Sequence, residues 1–197
     1  NPFSFALNKV IEDDGSEKTV LTPEQETSLL TFVRADPVYR KYYDELIVLL
    51  GTGMRISELC GLTTSSLDFA ERTITVDHQL LRDTENGYYI ESPKTKSGYR
   101  EIPMTEAVYQ ALKRIVKKRG RRKTLVVDGY TNFLFLNRDG LPKIAVNYNG
   151  MLQNLVKKYN KQNEEQLPHI TPHSLRHTFC TRMANAGMNP KTLQYIM

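Results

Sequence analysis

The chain has 197 residues, 40% of them hydrophobic and 25% charged, with a formal net charge of +5. That length holds one large domain or a domain with a small appendage, and the composition excludes a disordered chain except at its ends; the sequence shows no bilayer-length apolar run and no signal-peptide pattern. Two lysines against six carboxylates give residues 1–30 a net of −4, which leaves +9 on the remainder, so the body suits an anionic partner, nucleic acid before a membrane surface.

Residues 1–20 read as a linker or arm, with the turn-rich stretch Asp13-Asp14-Gly15-Ser16 inside it. The first residue is Asn, and the chain is read as a piece of a longer protein. Thr22-Pro23-Glu24-Gln25 starts a helix: Thr22 caps, Pro23 takes the first helical position and Gln25 completes a capping box. Leu29, Leu30 and Val33 form its apolar stripe. Asp36-Pro37 ends it and opens a second helix through Tyr39, Tyr43, Leu46, Ile47, Leu49 and Leu50, stopped by Gly51 and Gly53. Met54 to Gly61 predicts a short helix with Ile56, Leu59 and Cys60 buried.

Residues 72–76, 78–82, 88–91 and 99–102 carry strand-like alternation or β-branched and aromatic residues, with turn signals at Asn86-Gly87 and Ser97-Gly98. They predict a small antiparallel sheet of about three strands. Thr105 caps a helix through Lys118, a third long helix runs from about Ala145 to Tyr159, and Pro172 opens one that ends near Gly187. Asn189-Pro190 starts a last helix. The class is α+β, mostly helical with one small sheet. Cys60 and Cys180 belong to no C-x-x-C pair; a reduced, cytoplasmic protein fits, with one disulfide between them still open.

Four stretches carry chemistry. In Thr171-Pro172-His173-Ser174-Leu175-Arg176, a capped helix start places His173 and Arg176 three apart on one face. A planar guanidinium, a titratable imidazole and a helix N-terminus make a seat for one phosphate; a structural histidine beside a surface arginine is the competing reading. In Gly51-Thr52-Gly53-Met54-Arg55-Ile56-Ser57-Glu58, the glycines allow a sharp turn and Glu58 can orient Arg55, against a plain surface ion pair. Between two strands, Pro93 to Pro103 carries Lys94, Lys96 and Arg100 on a glycine turn; such a lysine could donate a proton to a leaving oxygen, or the hairpin is simply a solvated basic edge. Lys113 to Lys123 holds eight Lys or Arg in eleven residues, a run suited to phosphate neutralisation with little sequence information. His169, His173, His177 and Cys180 have a metal-like spacing, but Pro172 puts His169 ahead of the helix and no H-E-x-x-H is present, so no metal is expected.

The G-x-R-x-S-E-L-like segment at Gly53–Leu59, the hairpin Pro93-Lys94-Thr95-Lys96-Ser97 and the H-x-x-R followed by His177-Thr178-Phe179-Cys180 occur in that order. With these three motifs the chain from Leu21 to Met197 resembles the catalytic domain of the tyrosine recombinases, the phage-type integrases, and is most similar to integrases of phages and conjugative transposons. The resemblance implies site-specific DNA recombination, integrating or excising a mobile element through a 3′-phosphotyrosine. Arg55 and Arg176 would clamp the scissile phosphate, Lys94 would act as general acid, His173 would assist proton transfer and Glu58 would stand behind them. Lys96, Arg100, Arg121, Arg122, Lys123 and His177 are expected at DNA. The partners implied are double-stranded DNA, three further copies in a homotetramer on two duplexes and a possible directionality factor, with no membrane and no cofactor.

Residues 1–20 would then be the linker from an absent N-terminal DNA-binding domain. The nucleophilic tyrosine would lie beyond Met197, with Tyr195 a packing residue, so the fragment is expected to bind DNA weakly and not to cleave it. The alternatives are nicking and resealing in the manner of type IB topoisomerases, a DNA-binding protein without catalysis, and a basic module unrelated to recombinases, which would leave Arg55, Lys94, His173 and Arg176 far apart.

Overall fold

A computed structural model describes residues 19–93, 98–120 and 125–197. Helix α1 (Pro23–Ala35) starts as its sequence dictates. The Gln25 N–H donates to Thr22 Oγ1 at 3.2 Å, and the Thr22 N–H donates to Gln25 Oε1 at 3.1 Å, so two orphan amides are satisfied reciprocally. Leu29 and Val33 are fully buried beneath it. The second helix begins later than Pro37: a 3-10 turn at Arg40–Tyr42 intervenes before α2 (Tyr43–Thr52). Helix α2 runs through Gly51, and only Gly53, in the left-handed region at φ 63°, ends it. Helix α3 (Ile56–Gly61) follows at once, with Arg55 at its cap position.

Five strands come next: β1 (Leu67–Asp68), β2 (Thr73–Val76), β3 (Gln79–Asp83), β4 (Gly87–Glu91) and β5 (Arg100–Pro103). The expected small antiparallel sheet is present as three strands in the order β1-β2-β5, while β3 and β4 pair separately as a hairpin. Asp83 Oδ1 accepts from the Asn86 N–H, and Gly87 takes φ 68°, which closes that hairpin where the Asn-Gly signal lies. In β5 the alternation is strict: Arg100 and Ile102 face inward and Glu101 and Pro103 outward, with Arg100 paired opposite Val76. The Ser97-Gly98 turn signal falls partly outside the described residues.

Helices α4 (Glu106–Arg119), α5 (Ala145–Gln162), α6 (Pro172–Asn185) and α7 (Pro190–Ile196) complete the described chain. Among the described residues there are seven α-helices and the small sheet, the α+β class that the pattern predicts. The core is built on α2, which packs against α4 and α6 through Leu46, Val48, Leu49 and Leu50. Helix α6 is enclosed from Ser174 to Cys180, polar side chains included. Helix α7 rests on α6 and on β5. Cys60 and Cys180 are both buried free thiols. No described helix is long and apolar enough to cross a membrane.

Candidate active site

The turn between α2 and α3 begins the site. Gly53 holds φ 63°, and a Cβ there would lie 2.3 Å from the Phe179 ring of α6. Only glycine satisfies both conditions, and the turn it makes sends Arg55 out at the mouth of α3. The Arg55 side chain is 40% exposed, so its guanidinium is within reach of a ligand. The Glu58 carboxylate, one helical turn on, accepts the Arg55 N–H at 2.7 Å and Arg55 Nη1 at 3.2 Å.

Helix α6 brings the second half. Thr171 Oγ1 accepts the Ser174 N–H at 3.1 Å and Ser174 Oγ accepts the Thr171 N–H at 3.2 Å, with Pro172 at the first helical position. The cap thus forms as the sequence predicts, and it sets His173 and Arg176 on consecutive turns. Arg176 is almost wholly buried, and its guanidinium donates to the Gly53 carbonyl. Burial first, and the charge of Arg55 next, pull Arg176 down to about 10, still cationic at neutral pH. His173 is half-buried, and its ring meets that of His177 edge-on with centroids 4.3 Å apart.

Arg55, Glu58 and Arg176, from two helices far apart in sequence, therefore share one electrostatic neighbourhood, which Arg100 joins from β5. Three guanidiniums around one carboxylate leave a local charge of +2 beside the N-terminus of α6, a strong attraction for an anion. Burial alone would push the Glu58 carboxyl up; the Arg100 fork and the surrounding positive charge outweigh it and hold the carboxyl below its ordinary value. Glu58 is thus a fixed anion that keeps the arginines from repelling one another apart.

Two expectations about placement are corrected. Arg100, expected on an exposed basic hairpin at DNA, is 3% exposed and turned inward by the strand alternation it shares with Ile102. His177, also expected at DNA, is 3% exposed and packed against His173. Lys94, Lys96, Arg121, Arg122 and Lys123 lie outside the described residues. Of the basic run that is described, Lys113, Arg114, Lys117 and Lys118 are exposed, whereas Arg119 turns in to donate to the Phe133 carbonyl at 2.8 Å. What motif reading misses is that backbone carbonyls hold the buried arginines of the site, Gly53 for Arg176 and Ile196 for Arg100. The alternation of Arg100 with Ile102 was the available signal for one of them. A separate cleft of 680 Å³, lined by Lys41, Glu45, Lys143 and Tyr148 with Lys118 and Arg119 at the end of α4, takes in none of Arg55, Glu58, Arg100, His173 and Arg176. There the Lys143 ammonium donates to both Glu45 oxygens, at 2.7 and 2.8 Å, and its charge is met inside the protein.

The helical body with its small sheet carries a basic, carboxylate-braced arginine pair, and the chain belongs to the phage integrase family, which it matches over residues 19–197. Within that family it is 64% identical over its whole length to the transposase from transposon Tn916 of Enterococcus faecalis, of which it covers 49%. It is 25% identical over 99% of its length to the tyrosine recombinase XerC of Bacillus pumilus, covering 62% of that protein. Among solved structures, the Tn1549 transposon integrase in complex with circular intermediate DNA superposes with a TM-score of 0.89 at 61% identity, over 100% of this chain and 64% of that one. The chain spans about half the length of the curated transposases it matches.

Proposed function

We propose that the whole protein recombines DNA at specific sites, moving a mobile element by phosphoryl transfer. The observation that carries this reading is the meeting of Arg55 with an Arg176 whose guanidinium reaches back across 123 positions to Gly53. Two cations preplaced at one spot stabilise charge as it develops on the equatorial oxygens of a phosphate under attack. In the proposed reaction a tyrosine oxygen attacks the phosphorus and the bond to the 5′ oxygen breaks. That oxygen takes its proton from Lys94, while Arg55 and Arg176 hold the non-bridging oxygens and His173 assists proton transfer. The 3′-phosphotyrosine conserves the phosphodiester energy for a second strand, in a homotetramer on two duplexes. The similarity to a transposon integrase solved with DNA supports the choice of duplex DNA as substrate. Incubation of the full-length protein with its element ends on a suicide substrate tests the reading, and a covalent protein–DNA adduct is the expected result.

The nucleophile in this reading is not Tyr195. Tyr195 is 54% exposed and not the packing residue that the sequence predicts, and its hydroxyl accepts the Glu101 N–H of β5 at 3.3 Å. Tyr195→Phe in the full-length protein is therefore expected to keep adduct formation within about twofold, the range of a surface change remote from the chemistry. Complete loss of the adduct would make Tyr195 the attacking group.

The exposed cations Lys113, Lys117 and Lys118, with the rest of the run to residue 123, predict steep salt dependence. Affinity for arbitrary duplex should fall with a log–log slope of about −4 or steeper, as expected when at least four phosphates are neutralised. A flat titration between low and physiological salt would rule out the run as a DNA contact.

A further inference from the structure

We propose that Arg100 is a positioning residue that locks Arg55 and the end of α7 into one fixed relation through Glu58; this rests on the phosphate-clamp reading of the site. The geometry is a strut with three ends. Arg100 Nη1 donates to Glu58 Oε1 at 3.0 Å and Nη2 to Glu58 Oε2 at 2.6 Å, a bidentate fork. The third nitrogen, Nε, donates to the Ile196 carbonyl of α7 at 2.6 Å, and Nη1 also reaches the Gly98 carbonyl at 3.4 Å. Glu58 in turn holds both the backbone amide and the guanidinium of Arg55. The Arg55 guanidinium therefore hangs from a carboxylate whose other side is fixed to β5 by Arg100, and Arg100 also ties β5 to α7. A second tie, from the Glu101 N–H to the Tyr195 hydroxyl, joins the next residue of β5 to α7.

Stability alone does not call for this arrangement. The Arg100 side chain is 1% exposed and that of Glu58 is 8% exposed, and a desolvated ion pair is often no better for stability than an apolar pair of the same shape. What an apolar pair could not do is hold a third, half-exposed guanidinium in a set direction. A lysine at position 100 would not serve either, because a single ammonium cannot fork onto both carboxylate oxygens while bonding a carbonyl on a third line. The charged groups facing Glu58 are Arg55 at the α3 cap, Arg100 from β5 and Arg176 from α6. Removal of Arg100 leaves burial to raise the Glu58 carboxyl against the two remaining cations.

The experiment uses the full-length protein with Arg100→Lys, Arg100→Met and the double variant Arg100→Met/Glu58→Gln. Thermal midpoint, duplex affinity, single-turnover adduct rate and its pH profile are measured for each, with side-chain ¹⁵N spectra of Arg55. The positioning role predicts that Arg100→Lys binds DNA within about threefold of wild type but forms adduct about 100-fold more slowly, the effect of a misplacement near 1 Å. It predicts that the acid limb of the Arg100→Met profile moves to higher pH. It also predicts that the double variant, in which no carboxylate is left to lose its forked partner, melts above Arg100→Met without regaining the rate. Recovery of rate together with midpoint would overturn the proposal and leave a plain structural ion pair, as would a wild-type rate in Arg100→Lys. Failure of the phosphate-clamp reading has a different signature: wild type itself gives no adduct. In that event the Arg55 guanidinium resonances still decide the role of Arg100, which predicts that they shift in Arg100→Lys and is overturned if they do not.

Discussion

Arg176→Ala in the full-length protein is expected to slow covalent adduct formation by about 10³-fold, which is the upper range for loss of one preorganised donor to a developing oxyanion. Arg176 sits at 4% exposure, where its field is poorly screened by water. Burial and Arg55 lower its pKa only to about 10, so it stays cationic at neutral pH. Duplex affinity should change far less, because many backbone contacts share that free energy and the exposed lysines of α4 are untouched. Arg176→Lys should recover little of the rate, since an ammonium cannot bond the Gly53 carbonyl and also face a phosphate with a planar fork. A normal adduct yield from Arg176→Ala on a suicide substrate would remove Arg176 from the chemistry.

Gly53→Ala is expected to lower stability by about 2–4 kcal/mol, combining a left-handed alanine with an overpacked core. The two costs have separate origins. At φ 63° any side chain is strained, and the new Cβ would stand 2.3 Å from a Phe179 ring that is itself 4% exposed. The shift in denaturant midpoint at constant slope measures the sum. Phe179→Leu added to Gly53→Ala should return the steric part and leave the backbone part. The adduct rate should fall beyond what stability accounts for, because the displaced turn carries both the carbonyl that holds Arg176 and, two residues on, Arg55. An unchanged midpoint in Gly53→Ala would mean that the turn is looser than these distances require.

Much of this was legible before any coordinates. The capping box at Thr22 and the helix cap at Thr171 form because every atom they need lies within three residues, and the reciprocal bond to Ser174 Oγ is added by the structure. The Asn86-Gly87 turn closes its hairpin for the same reason. The apolar stripes of α1 and α5 face the core because helical period alone selects the face. Arg55, His173 and Arg176 were identified by motif, and two of them, Arg55 and Arg176, meet in space. Arg100 was read from its basic neighbours and assigned to solvent, although alternation with Ile102 on β5 turns it inward. The choice between those signals depended on β5 pairing with β2, a partner more than twenty residues earlier, while the intervening β3–β4 hairpin pairs only with itself. His177 was likewise judged by its place in a motif, and packing of α6 on all sides encloses it.

The sequence by itself determined the helix starts, the class of fold, the charge of the body and the residues with the chemistry to bind a phosphate. These follow from interactions among near neighbours in the chain, whose geometry is nearly independent of the rest. The tertiary structure decided which arginine faces outward, which carboxylate braces it and where α7 is moored. Those depend on strand pairing and helix packing between residues as many as 123 positions apart, and no local pattern encodes the outcome of that competition.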